Sequence, residues 1–131
     1  MAESRKDSKE VDQFILEHID SVPHLEALLL LWVARPKVWS PTEVSTRLYI
    51  AKELAEGVMR DLVRERLIQS VSESQDAYRY DSTSDQRDAL LQAVDAAYRS
   101  EMVRISTMIH SKASAAVREF ARAFRFTKEG Q

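Results

Sequence analysis

Ser40-Pro41-Thr42-Glu43 fixes where a helix starts, and the stretch it opens, residues 38–80, constrains this chain more than any other. A serine N-cap, a proline at the first helical position and a glutamate three residues after the cap form a capping box. In that motif side chain and backbone satisfy each other's open hydrogen-bonding groups. The short helix that follows carries Val44 and Leu48, spaced for one buried face. Tyr49-Ile50 turns the chain into a second helix, where Ala55, Met59 and Leu62 recur at i, i+4 and i+7. Leu67 to Val71 and Ala77 to Tyr80 then alternate on either side of the polar Ser72 to Asp76, which is the pattern of a β-hairpin.

Helix, turn, helix, hairpin is the order of a winged helix-turn-helix. The flanks are helical too. Val11, Phe14, Ile15 and Ile19 share one face and predict a short amphipathic helix ending near Asp20, after a disordered tail over residues 1–9. Ser21 and Pro23 announce a helix that is apolar nearly all round from Leu25 to Val33, as a buried central helix must be. Arg35-Pro36 stops it, because a proline pushes the residue before it out of the helical region. Past the N-cap candidates Ser82-Thr83-Ser84, a long helix is expected from about Asp85 to about His110 on the stripe Leu91, Val94, Tyr98, Met102, Ile105 and Ile109. Ser111 or Ser114 then restarts a short terminal helix with Val117, Phe120 and Phe124 on one face. The fold class is therefore mostly α with a small β-hairpin wing. Residues 10–84 form the winged domain, and residues 85–131 serve dimerisation and packing.

Composition narrows the function classes. The 131 residues include no cysteine, so disulfides, thiolate metal sites and a cysteine nucleophile are excluded. Two glycines, at 57 and 130, leave no material for a glycine-rich phosphate loop. His18, His24 and His110 lack the i, i+4 spacing of a helical metal site, so no metal, no cofactor and no enzyme are expected. The longest apolar run, Ala27 to Ala34, is far short of the roughly 20 residues that span a bilayer. The charged first ten residues do not resemble a signal peptide, so a cytoplasmic protein without a membrane partner is expected.

Net charge is −2 but uneven: residues 99–131 carry a surplus of four positive charges, leaving −6 on the rest. Such asymmetry marks either a surface for an acidic partner or helices that pair with one another.

Leu28 to Trp32, Thr42 to Leu48, Lys52 to Glu65, Leu67-Ile68-Gln69 and Tyr78-Arg79-Tyr80 together resemble the winged-helix bacterial regulators of the MarR and PadR type. The resemblance covers roughly 50 residues at the level of motifs and extends beyond them by helix order. It implies a transcriptional regulator that binds double-stranded DNA as a homodimer, here through residues 11–20 and 85–126. The helix from Lys52 would enter the groove. Wings of the MarR type usually carry an aspartate and an arginine two apart; here Asp76 and Arg79 are three apart.

On that reading Lys52 and Arg60 contact the major groove, Ser45 and Arg47 the phosphates, and Arg79 the wing site. The groove helix, however, balances Glu53, Glu56 and Asp61 against Lys52, Arg60 and Arg64. It also contains Gly57, which weakens a helix by about 1 kcal/mol relative to alanine. The alternative is a winged helix that binds protein instead of DNA. Its contacts would be the acidic Glu53 and Glu56, and Phe120 and Phe124 on the basic terminal helix.

Overall fold

The computed structural model describes the backbone of residues 2–71 and 76–129, and the side chains of residues 8–71 and 76–115. Among the described residues eight elements follow one another: α1 (Ala2–His18), α2 (Val22–Val33), α3 (Pro41–Leu48), α4 (Lys52–Arg64), β1 (Ile68–Ser70), β2 (Tyr78–Tyr80), α5 (Asp85–Ser100) and α6 (Met102–Glu129).

The apolar α2 is the axle of the core. Its Ser21 N-cap is extended, and the hydroxyl accepts from the His24 amide. Leu25, Ala27, Leu28 and Leu31 are fully buried because α3, α4, α5 and β2 pack around them. A helix surrounded on all sides has no face to leave polar. Beyond Val33 the Arg35 guanidinium donates to the Trp32 carbonyl at 2.6 Å and lies over the Trp32 indole, closing the helix end.

The capping box forms as its residues require. Ser40 Oγ accepts from the Glu43 amide, and Glu43 accepts from the Ser40 amide, both at 3.1 Å. The turn after α3 is made by Tyr49 in the left-handed region, φ 57°. There its amide and that of Ile50 both close on the Ser45 carbonyl. α4 buries Ala55, Val58, Met59 and Leu62. The hairpin is antiparallel, pairing Ile68 with Tyr80 and Ser70 with Tyr78, with both tyrosines on the core side. Trp39 adds a rung: its amide donates to the Tyr78 carbonyl at 2.7 Å, and the Tyr78 amide donates back at 2.8 Å. The segment leading into α3 is thereby joined to the wing. The Tyr80 hydroxyl donates to Asp88 on α5 at 2.7 Å, tying the other end of the hairpin down.

Two expectations differ from the structure. α1 is helical from Ala2, through most of the stretch expected to be a disordered tail at residues 1–9. Residues 2–10 carry no apolar stripe, so periodicity could not register them, although alanine, glutamate, lysine and arginine are good helix formers. The C-terminal pair also breaks elsewhere. The chain leaves the helix at Glu101, φ −133°, and α6 then runs unbroken through Ser111 and Ser114. The stripe explains why. Leu91, Val94 and Tyr98 on α5 and Ile105 and Ile109 on α6 are all buried, while Met102 between them is 51% exposed. The break turns Met102 outward and lets both helices face the core. Arg104 fastens the corner, reaching Glu101 at 3.1 Å and Asp12 of α1 at 2.9 Å.

Candidate nucleic-acid interface

The exposed surface of α3 and α4 is built by their amphipathic division. Counting 3.6 residues per turn, Glu53, Gly57, Arg60 and Arg64 run down the side of α4 opposite its buried residues. Lys52 and Glu53 stand exposed in the first turn. The N-cap is Ala51, which has no side-chain acceptor, so Glu53 is the group that answers the positive end of this helix. Further along, Glu56 and Arg60 stand beside Tyr78 of the wing. Burial pushes the Tyr78 phenol above its ordinary pKa. Asp76 and Glu56 push the same way, against Arg60. Glu56 is half-buried there instead of standing free on a face.

Arg47 shares a groove with Lys37, Trp39, Thr42, Glu43, Thr46 and Tyr49. Ser45 Oγ and Thr46 Oγ1 both donate to the Thr42 carbonyl, at 2.8 and 3.0 Å, which leaves their oxygens as acceptors and fixes their orientation. Lys37 is held over the Trp39 ring at 3.9 Å. It is the cation that sequence reasoning missed. Its only signal in the sequence is its place just ahead of the Ser40 capping box. Tyr49 is 95% exposed, an aromatic ring standing in solvent on a left-handed residue.

Arg79 lies on the other side of the strand from Tyr78 and Tyr80, as the two-residue period of a strand requires. It lines a groove with Arg35, Pro36, Gln69 and Ser82. The structure thus gathers Arg47 with Lys37 and Tyr49, carries Lys52, Glu53 and Arg60 on α4, and puts Arg79 with Arg35 beyond the hairpin. Phe120 and Phe124 lie on the part of α6 whose side chains fall outside the described residues.

Ion pairing sorts the cations. Arg99 pairs with Asp95 at 3.0 Å, Arg104 with Asp12 and Glu101, Lys112 with Asp20 at 3.5 Å, and Arg64 with Asp61 at 2.8 Å. Arg104 and Lys112 therefore spend their charge on α1 and the residues that follow it. The positive surplus of the C-terminal segment is, to that extent, helices pairing with one another. Among the described residues, Arg47, Lys52, Arg60 and Arg79 meet no carboxylate at ion-pair distance.

One corner holds metal-ligand types. Asp20, His24 and Asp61 present atoms within 4.8 Å of one another. Every member is already engaged: His24 Nε2 with Asp61 at 2.8 Å, His24 Nδ1 with the Ser21 hydroxyl at 2.6 Å, Asp20 with Lys112 and Asp61 with Arg64. A proton on Nε2 serves the Asp61 carboxylate and leaves Nδ1 to accept from Ser21. His18 makes a similar link to Glu65 at 2.7 Å. The two histidines thus join the C-terminal end of α4 to α1 and α2.

No family model and no curated protein matches the sequence. Among solved structures the chain is similar to a transcriptional regulator from Thermotoga maritima, at 13% identity over 95% of this chain and 87% of that one, with a TM-score of 0.50. It is similar to the multiple antibiotic-resistance repressor (MarR) from Listeria monocytogenes at 15% identity over 97% and 87%, also with a TM-score of 0.50. At these identities the likeness is one of architecture, and it extends over the flanking helices as well as the wing. The chain has the winged-helix fold of MarR-type regulators.

Proposed function

We propose that the protein is a DNA-binding transcriptional regulator of the bacterial cytoplasm, gripping duplex DNA as a homodimer. The observation that carries this reading is the sorting of cations. Arg99, Arg104 and Lys112 around the α5–α6 corner are paired, and so is Arg64 at the end of α4, whereas among the described residues Arg47 of α3, Lys52 and Arg60 of α4 and Arg79 of the wing meet no carboxylate at ion-pair distance. Unpaired surface cations on the elements that meet DNA in a winged helix suit a phosphate backbone, whose neutralisation supplies most of the affinity. Arg47 and the hydroxyl of Ser45, joined by Lys37, serve the phosphates. Lys52 and Arg60 serve the major groove, and Arg79 serves the wing site. Among the described residues no helix is long and apolar enough to cross a membrane, in keeping with a nucleic-acid partner.

Fluorescence anisotropy with genomic duplex fragments at two salt concentrations tests this. Affinity should fall steeply as salt rises. Lys52→Ala combined with Arg60→Ala should weaken binding, and Arg47→Ala should flatten the salt slope by about one for the phosphate left unneutralised. No binding at low salt, or binding indifferent to this double change, would overturn the proposal. The dimer is assigned to residues 11–20 and 85–126, so sedimentation at micromolar concentration should return twice the 15.0 kDa chain mass. A single-chain mass would exclude it.

A further inference from the structure

We propose that Gly57 is where the α4 backbone itself meets the floor of a DNA groove, and that Glu53, one turn earlier, accepts a hydrogen bond there from a cytosine amino group. This rests on the duplex reading above and says what the helix reads.

Nothing in the chain's own fold asks for glycine at residue 57. Its φ is not positive, and a Cβ built on it would meet only the tip of the flexible Arg60 side chain, at 3.9 Å. The position is nevertheless central to the outward line Glu53, Gly57, Arg60, Arg64, in a helix where glycine is the poorest choice apart from proline. On this outward side the helix gives up stability and gains only room. The turn before α4 makes a second such sacrifice, holding Tyr49 left-handed with its ring 95% exposed. Local losses at two places in one helix-turn-helix point to a contact made with something else.

Glu53 supplies the chemistry. It is exposed in the first turn, and among the described residues it has no ion-pair partner. A carboxylate near phosphates is repelled, so in a duplex it is useful only where it reaches a base edge. The major-groove donor it matches best is the cytosine amino group, because adenine sets its N7 acceptor beside its own amino group and repels a second carboxylate oxygen. Reaching that edge requires the helix to lie deep, and a methyl on residue 57 would hold it away.

Selection from a randomised duplex pool, followed by anisotropy on the selected duplex and its single-base variants, tests this alongside thermal melting. Gly57→Ala should raise Tm by roughly 3–5 °C while weakening binding to the selected duplex about tenfold or more. Replacing one cytosine should weaken wild-type binding about tenfold, and Glu53→Gln should move the preference at that base to adenine. A Gly57→Ala protein that binds the selected duplex like wild type, or a Glu53→Gln protein that keeps the cytosine requirement, overturns this inference alone. A wild-type protein that enriches no duplex overturns the regulatory reading beneath it.

Discussion

Leu28→Ala lowers the unfolding free energy by about 3–4 kcal/mol, read as a fall in the urea midpoint at unchanged slope. Leu28 is fully buried midway along α2, the helix that α3, α4, α5 and β2 all pack against. Truncation removes the transfer energy of the side chain and leaves a cavity. Elements held from four directions cannot collapse into that cavity without loosening their packing elsewhere. Such a loss is a large part of the 5–15 kcal/mol that typically separates folded from unfolded chains. The i, i+4 pair of Arg99, which stands in solvent, with the half-buried Asp95 contributes, by contrast, only about 0.3–0.5 kcal/mol. A loss below about 1 kcal/mol at Leu28 would mean that α2 is not the centre of the core.

The second large effect is expected at Asp61. Asp61→Ala takes the acceptor from His24, whose ring is buried at 9% exposure. It also frees Arg64, but that side chain is mostly in solvent and its pair counts for little. The stranded imidazole N–H dominates, at about 1–3 kcal/mol, and Asp61→Asn, which keeps an acceptor oxygen in place, should lose less.

The same residue sets an acid limb. The hydrogen bond from His24 holds the Asp61 carboxyl below its ordinary 3.8; the charges of His24 and Arg64 add to this, and burial opposes it. A depressed folded value means that the stabilisation is complete above the unfolded pKa and is lost as pH falls through the folded one. Urea midpoints should therefore drop below about pH 4 in the wild type, and the Asp61-specific part of that drop should be absent from Asp61→Ala. Identical acid limbs in the two proteins would remove Asp61 from this account.

What was legible in the sequence was whatever is written locally. The capping box at Ser40, the stripe of α4, the apolar α2 and the alternation around Tyr78 each reside in a few neighbouring residues, and each is found where its pattern puts it. The break at Glu101 was not legible. No glycine or proline marks it, and the pairing that fixes it, Arg104 to Asp12, joins residues far apart in the chain. The candidate site divides in the same way. Arg47, Lys52, Arg60 and Arg79 could be named as cations, but that they meet no carboxylate among the described residues is a property of the folded surface. Lys37 comes beside α3 only because Trp39 pairs with Tyr78. Arg79 belongs with Arg35, across the hairpin from Tyr78, which a linear reading could not assign.

The two-way rung between Trp39 and Tyr78 has a mechanical consequence. It couples the front of α3 to the wing strand, while Tyr80 and Asp88 couple that strand to α5. A stress arriving through α5 therefore reaches the wing and α3 as one displacement. α3 and the wing can be tilted or carried bodily, but spreading them apart costs the hydrogen bonds of this rung. If the protein grips DNA as a homodimer, as proposed above, a signal would act on the angle or spacing of whole heads, and grip would be lost when they fall out of step with the helical repeat of the duplex.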